Sequence, residues 1–200
     1  MGYSLPPVLA HIESLGFKVF TSGVYNLNLF GIRGNSRNSN AFDDLLGCAF
    51  RVTEGGAWHV RYWPATTDPG KFCLENPEVY GSALGTAIYK PGQYRGVYEV
   101  GLHRNKYRAL VQTGGEIDVY RDNNRDAVLN MNESSVQHGY FGCNIHKAGK
   151  ESTRVDNWSA GCQVHAVADC FDEMMDLVDL QLQHHPTWTK FTYTLVDQWW

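Results

Sequence analysis

Short apolar runs, set apart by turn signals, constrain the fold of this chain more than any other feature of its sequence. The turn signals include glycine pairs at residues 55–56 and 114–115 and an Asp-Pro-Gly sequence at residues 68–70. A content of 11 Tyr, 9 Phe and 20 Gly suits strands joined by tight turns. The spacing favours a mainly β (α+β) sandwich or barrel over alternating strands and helices. Strands are predicted at residues 17–20, 25–32, 48–52, 58–63, 87–89, 97–102, 107–112, 117–120 and 191–196.

Two helices are predicted, one near each end of the chain. Pro6 and Pro7 precede an apolar stripe at residues 8, 12 and 15, and Gly16 follows, which indicates a short N-terminal helix. A longer helix is predicted over residues 168–184, because acidic residues occupy the face opposite an apolar stripe at helical spacing. That stripe consists of Phe171, Met174, Met175, Val178 and Leu182.

The length and charge of the chain limit its organisation and its partners. We predict a single domain over residues 1–200, with residues 1–45 as a helix and strand extension packed on it. A net charge of −4 and the lack of a basic run argue against nucleic-acid binding. No stretch reaches the roughly 20 apolar residues of a membrane span. Residues 1–7 have neither the basic nor the apolar region of a signal peptide, so we expect cytoplasmic synthesis without one.

The cysteines point to free thiols rather than to a disulfide framework. Their odd number and irregular spacing leave at least one unpaired. The five are Cys48, Cys73, Cys143, Cys162 and Cys170.

One cysteine stands in a segment with chemical potential. Residues 145–146 read Ile-His and residues 158–164 read Trp-Ser-Ala-Gly-Cys-Gln-Val, with a polar loop of 15 residues between His146 and Cys162. An imidazole that accepts the proton of a thiol turns it into a strong nucleophile. The small residues before Cys162 allow a substrate backbone to approach the sulfur, and the amides of Gly161 and Cys162 are candidates for an oxyanion hole.

This segment, residues 140–164, resembles the signature of the L,D-transpeptidase catalytic domain, in which a His precedes a Ser/Thr-His-Gly-Cys sequence. His146 and Cys162 are 16 positions apart, which agrees with the family, and residues 159, 161 and 162 match in register. Two positions depart from it: Ala160 replaces a His of the oxyanion region, and Val164 replaces Arg or Asn. Less specifically, the wider chain is similar to phage-encoded proteins with the same arrangement.

The resemblance implies an L,D-transpeptidase-like β-sandwich or barrel and a role for each matched residue. Cys162 attacks an L,D peptide linkage of a peptidoglycan stem, His146 is the base, and the backbone carbonyl of Lys147 orients the imidazole. The Gly161 amide stabilises the oxyanion. From their proximity in sequence or their type, four further residues are predicted to contact the substrate: Ser159, Trp158, Tyr140 and Asn144.

The expected activity is therefore that of a cysteine peptidase or acyl transferase acting on the stem peptide. The weaker resemblance suggests a phage lysis or virion-associated wall hydrolase, which we would expect to reach the wall after a holin opens the membrane, or within a virion. Two alternatives stay open, namely a true L,D-transpeptidase that forms cross-links and a catalytically silent wall-binding or virion structural module.

Metal binding gives two further alternatives to an enzyme without a cofactor. A structural zinc site would use Cys143, His146, Cys162 and His165, but alternation along a strand would place the first two on opposite faces. A calcium loop is suggested by the spacing of four residues, although Ala127 occupies the position that wants Gly. Those four are Asp122, Asn124, Asp126 and Glu133.

Overall fold

Strands dominate the part of the chain that the structure, a computed structural model, describes, which is residues 4–80 and 82–200. The strands are β1 Asn28–Arg33, β2 Asp44–Arg51, β3 Trp58–Thr66, β4 Thr86–Tyr89, β5 Gly92–His103, β6 Tyr107–Gln112, β7 Ile117–Asp122, β8 Gln137–Gly139, β9 Ile145–Lys147, β10 Gln163–His165 and β11 Lys190–Asp197. The helices are α1 Pro7–Ser14, α2 Lys71–Glu75 and α3 Ala168–His184, with 3₁₀ turns at Pro77–Tyr80 and Glu133–Ser135. The predicted mainly β (α+β) class, with a helix near each end, is confirmed.

Eight strands form one sheet that closes on itself, in the order β1-β11-β5-β6-β9-β10-β3-β2. Two of its neighbouring pairs, β1 with β11 and β9 with β10, are parallel, and the others are antiparallel. The remaining strands form a second, three-stranded sheet in the order β4-β7-β8. The barrel thus brings β9 and β10, which are separated by 15 residues in sequence, side by side.

Aromatic side chains fill much of the interior. The rings of Tyr89 and Tyr98 both meet that of Tyr193 edge to face, with centroids 5.7 and 5.9 Å apart. Helix α3 has the bounds that the sequence predicts, and Phe171 and Val178 of its apolar stripe are buried in the same core. Burial of this stripe holds α3 on the barrel.

The N-terminal segment is more closely integrated than the sequence suggests. Strand β1 lies within the predicted extension 1–45, yet it pairs with β2 and β11 and so closes the barrel. Val8, Leu9 and Ile12 of α1 pack on an outer apolar cluster that includes Phe30 and Ile32. Residues 28–33 are thus part of the barrel rather than an addition to it, while residues 1–3 lie outside the described residues.

The strand predicted at residues 17–20 is wrong. The backbone there bonds to side chains instead of a neighbouring strand: Phe20 exchanges two hydrogen bonds with the Asn28 amide, and Lys18 does so with Gln93. None of the helices in the described ranges combines the length and the apolar character needed to cross a bilayer.

Candidate active site

The pairing of the parallel strands β9 and β10 places His146 beside the segment that carries Cys162. His146 on β9 is the partner of Val164 on β10, and partners on adjacent strands project to the same side. Cys162 immediately precedes β10, which begins at Gln163, so alternation along the strand does not fix the direction of its side chain. Both residues line one cavity of about 550 Å³.

The His146 ring is held in one tautomer. Its Nδ1 lies 2.9 Å from the carbonyl oxygen of Lys147, which can only accept, so Nδ1 carries the proton. The Tyr107 hydroxyl donates to the same carbonyl at 3.1 Å. The lone pair of Nε2 therefore remains available, and Nε2 has no hydrogen-bond partner in residues 4–80 and 82–200. The contact with Lys147 is the one the resemblance predicts, and its catalytic role stays a prediction.

The His146 imidazole and the Cys162 thiol are both neutral near pH 7. Burial, followed by the effect of the His103 ring, lowers the pKa of His146 to about 3, although the backbones of Lys147 and Trp158 act in the opposite direction. Burial raises the pKa of the Cys162 thiol to about 11. The partly exposed thiol donates to the carbonyl of Gly142 at 3.5 Å, rather than to His146. The thiol and the imidazole therefore do not form an ion pair near neutral pH.

A buried serine fixes the loop that carries the thiol. The Ser159 hydroxyl donates to the Cys162 carbonyl at 2.7 Å and accepts the Gly161 N–H at 3.2 Å. Gly161 has φ +124°, and a Cβ there would lie 2.9 Å from the carbonyl oxygen of Ala87 and 3.0 Å from the sulfur of Cys143. Only glycine fits this position, and its amide is already bonded within the loop.

The four predicted substrate contacts occupy different environments. Trp158 is 42% exposed and lines the cavity, and Asn144 lines it too. Ser159 is fully buried with its hydroxyl used inside the loop, so its assignment as a substrate contact is corrected to a structural role. Tyr140 is 59% exposed and is not among the described residues around the cavity, so its contact with the substrate stays a prediction.

Several residues of the site have no signature in the sequence. His103 stacks on His146, and the next residue, Arg104, also lines the cavity. The Gln112 side chain accepts the N–H groups of Phe141 and Cys143 at 3.0 and 3.1 Å and so shapes the segment before β9. The residue type of His103 and the polar turn between the predicted strands 97–102 and 107–112 were the available signals for the first two, and Gln112 had none.

The cavity is electropositive. Two arginines line it, Arg104 and Arg121, and no Asp or Glu is among its described lining residues. The exposed Arg104 is presented by a tight turn in which it and Asn105 have φ of 49° and 56°. Tyr80, Phe141 and Trp158 add aromatic surface. A ligand with a negative charge and apolar parts matches this lining.

The calcium hypothesis does not fit the positions of its residues. Glu133 bonds to Lys90 and Tyr120, whereas Asp122 is buried and accepts the Asn130 N–H at 2.9 Å. Asn124 and Asp126 bond to each other. Within the described ranges, no three His, Cys, Asp or Glu side chains are grouped to hold a metal ion.

The absence of a ligand group among the described residues applies to the zinc hypothesis too. The argument from strand alternation that the sequence offered against it does not hold. Strand β9 begins at Ile145, after Cys143, so alternation does not relate Cys143 to His146. Both border the cavity. His165, the fourth supposed ligand, is fully buried with both ring nitrogens unpartnered among the described residues.

Comparisons of the chain with protein-family models, with curated proteins and with solved structures found no match. The chemistry of the cavity and the resemblance of residues 140–164 therefore carry the functional argument.

Proposed function

We propose that this protein is a cysteine-dependent acyl transferase or hydrolase that acts on an L,D peptide linkage of the peptidoglycan stem. The observation that carries the proposal is the imidazole of His146, oriented by the Lys147 carbonyl and with an unpartnered Nε2, in the same cavity as the Cys162 thiol. A buried nitrogen lone pair without a donor is costly, and a proton-accepting role explains why it is kept.

The reaction follows from these two groups. The Cys162 sulfur attacks the carbonyl carbon while its proton passes to Nε2 of His146, which gives a tetrahedral oxyanion. The carbon–nitrogen bond then breaks, the amine takes the proton from Nε2, and an acyl-thioester remains on Cys162. Water or a second amine attacks the thioester, and the thiol is restored. The first acceptor gives a shortened stem and the second a cross-link.

The charge of the cavity supports an acidic peptide as substrate. Stem peptides carry free carboxylates, and Arg104 and Arg121 provide guanidinium groups in a cavity that no Asp or Glu of the described residues lines. The volume of about 550 Å³ is within the usual range for sites that bind small molecules or short peptides. The linkage itself is taken from the resemblance.

The proposal is tested by incubating the protein with purified peptidoglycan and analysing the muropeptides by mass spectrometry. Shortened stems or new cross-links are expected with the unchanged protein and with Cys170→Ala, which removes a half-buried thiol of α3 outside the cavity. Neither product is expected with Cys162→Ala. New cross-links without shortened stems would rule out a pure hydrolase, and unchanged muropeptides in every sample would refute the enzymatic proposal.

A silent binding module is the second candidate, and the resting state of the thiol favours it. The sulfur bonds to the Gly142 carbonyl, and its pKa is about 11 rather than depressed as in many reactive cysteines. Such a module would retain binding to peptidoglycan without altering it. Cosedimentation with intact peptidoglycan together with unchanged muropeptides would assign the protein to this class.

A further inference from the structure

Asn144 connects the thiol segment to a second imidazole. Its backbone carbonyl accepts the Gln163 N–H at 2.9 Å, one residue after Cys162. Its side-chain Nδ2 lies 3.1 Å from Nδ1 of His103. Asn144 is therefore hydrogen-bonded both to the His103 ring and to the strand that follows Cys162.

The hydrogen bonds of Asn144 define which nitrogen of His103 carries a proton. The N–H of Gln112 donates to Asn144 Oδ1 at 2.9 Å, so the other atom of the amide must be the NH₂ group. That NH₂ group donates to Nδ1 of His103. In the neutral ring the proton is then on Nε2, and no acceptor for it is recorded among the described residues. The ring lines the cavity.

The position of His103 is fixed by a contact of its ring and by a turn of its backbone. Its ring stacks on that of His146 with centroids 4.0 Å apart. It ends β5 at the tight turn of Arg104 and Asn105, where its carbonyl accepts the Lys106 N–H at 2.9 Å. Burial lowers the pKa of His103, with Arg104 and Lys106 acting in the same direction, so the ring is neutral near pH 7.

The tetrahedral oxyanion needs donors that the thiol loop supplies only in part. The Gly161 N–H is bonded to Ser159 Oγ, and the methyl group of Ala160 offers none. The Cys162 N–H, for which no acceptor is recorded in residues 4–80 and 82–200, is one available donor. We propose that the Nε2–H of His103 is the second donor to the oxyanion, so that His103 is a catalytic residue; this inference rests on the proposed acyl chemistry.

Two reagents separate this role from an effect on the thiol. Acylation by p-nitrophenyl acetate passes through a tetrahedral oxyanion, whereas alkylation by iodoacetamide displaces iodide at a saturated carbon and forms none. Both rates are measured for Cys162, with the Cys162→Ala rate subtracted. His103→Phe keeps an aromatic ring against His146 but has no N–H, and His103→Gln keeps a donor. His59→Phe, at a half-buried position on β3 outside the cavity, is the control.

We expect His103→Phe to lower the acylation rate by about 10²-fold, as the removal of an oxyanion donor does, and to leave alkylation nearly unchanged. His103→Gln should recover part of the acylation, and His59→Phe should affect neither reaction. Equal slowing of both reactions in either folded His103 variant, or no slowing of acylation in folded His103→Phe, would overturn the inference while leaving the proposed function in place. If Cys162 of the unchanged protein reacts with neither reagent faster than Cys170 does, the proposed function fails as well.

Discussion

The imidazole of His103 lies on that of His146, with ring centroids 4.0 Å apart and ring planes inclined by 20°. Two protonated rings at this distance would repel each other, and His103 contributes to the lowered pKa of His146. The stack therefore favours the neutral form of the His146 ring. The pKa of Cys162 is raised as well. In the free protein, Cys162 is therefore a neutral thiol and His146 a neutral imidazole, rather than a thiolate–imidazolium ion pair.

The first prediction concerns the pH dependence of thiol reactivity. Because the Cys162 pKa is about 11, the alkylation rate should rise about tenfold per pH unit between about pH 6 and 9. Iodoacetamide labelling with site-resolved mass spectrometry measures this, and Cys170 serves as the internal comparison. A rate that is flat across this range would indicate a thiolate–imidazolium pair and contradict the neutral resting state.

The second prediction concerns the charge at the mouth of the cavity. Arg104→Gln should raise KM for a peptide with a free carboxylate about tenfold, which corresponds to about 1.4 kcal/mol. Arg125→Gln, at an exposed arginine paired with Glu78, should leave KM unchanged. The effect of Arg104→Gln should disappear when the peptide carboxylate is amidated. An equal increase for the amidated peptide would show that Arg104 does not recognise that charge.

The third prediction concerns the loop before the thiol. Ser159→Ala removes the partner of both the Gly161 N–H and the Cys162 carbonyl, and we expect a loss of about 1–3 kcal/mol in the free energy of unfolding. Ser152→Ala, which removes only the acceptor of the Gly149 N–H in the preceding part of the loop, is the control and should cost less. Denaturant unfolding measures both. Equal stability of the Ser159 variant and the unchanged protein would disprove this role of Ser159.

The fourth prediction concerns stability in acid. Burial lowers the pKa of His165 to about 3, against 6.5 for an exposed histidine, and the ring lies 5.5 Å from that of Trp63 and 5.8 Å from that of Phe171. Between these two pH values the unfolded chain therefore binds more protons than the folded protein does. The contribution of the neutral ring to the free energy of unfolding is complete above about pH 6.5 and is lost as the pH falls towards about 3.

Replacing the imidazole of His165 by a ring that does not titrate should remove its contribution to the loss of stability in acid. His165→Phe should keep the unfolding free energy near neutral pH and reduce its decrease in acid by a few kcal/mol. His59→Phe should leave the decrease in place. A His165→Phe protein that loses stability with pH as steeply as the unchanged protein would contradict the assignment of acid sensitivity to this buried ring.

The sequence predicted those elements that a regular apolar pattern or a turn signal within the same segment specifies. Helix α3 was predicted with its observed bounds because its apolar stripe is long and regular, and strands at β2 and β3 were predicted because glycines mark the turn between them. The supposed strand at residues 17–20 failed because Asn28 and Gln93, from other parts of the chain, satisfy its backbone.

In the candidate site, too, some residues were predictable from the sequence and others were not. Cys162 and His146 were found from a motif within one segment. His103 and Arg104 reach the cavity from the end of the β5–β6 hairpin, and their proximity to His146 depends on the order of strands in the barrel. No pattern in the sequence encodes that order, so these residues needed the structure.

The account is tested most directly by searching for a covalent intermediate on Cys162. The protein is mixed with a stem peptide donor, quenched in acid and mapped by mass spectrometry. We predict one acyl adduct on Cys162, removable by hydroxylamine as a thioester is, and a much smaller amount of it with His146→Gln. Turnover of the donor with no adduct on Cys162 at any quench time, or an adduct on another residue, would contradict the account.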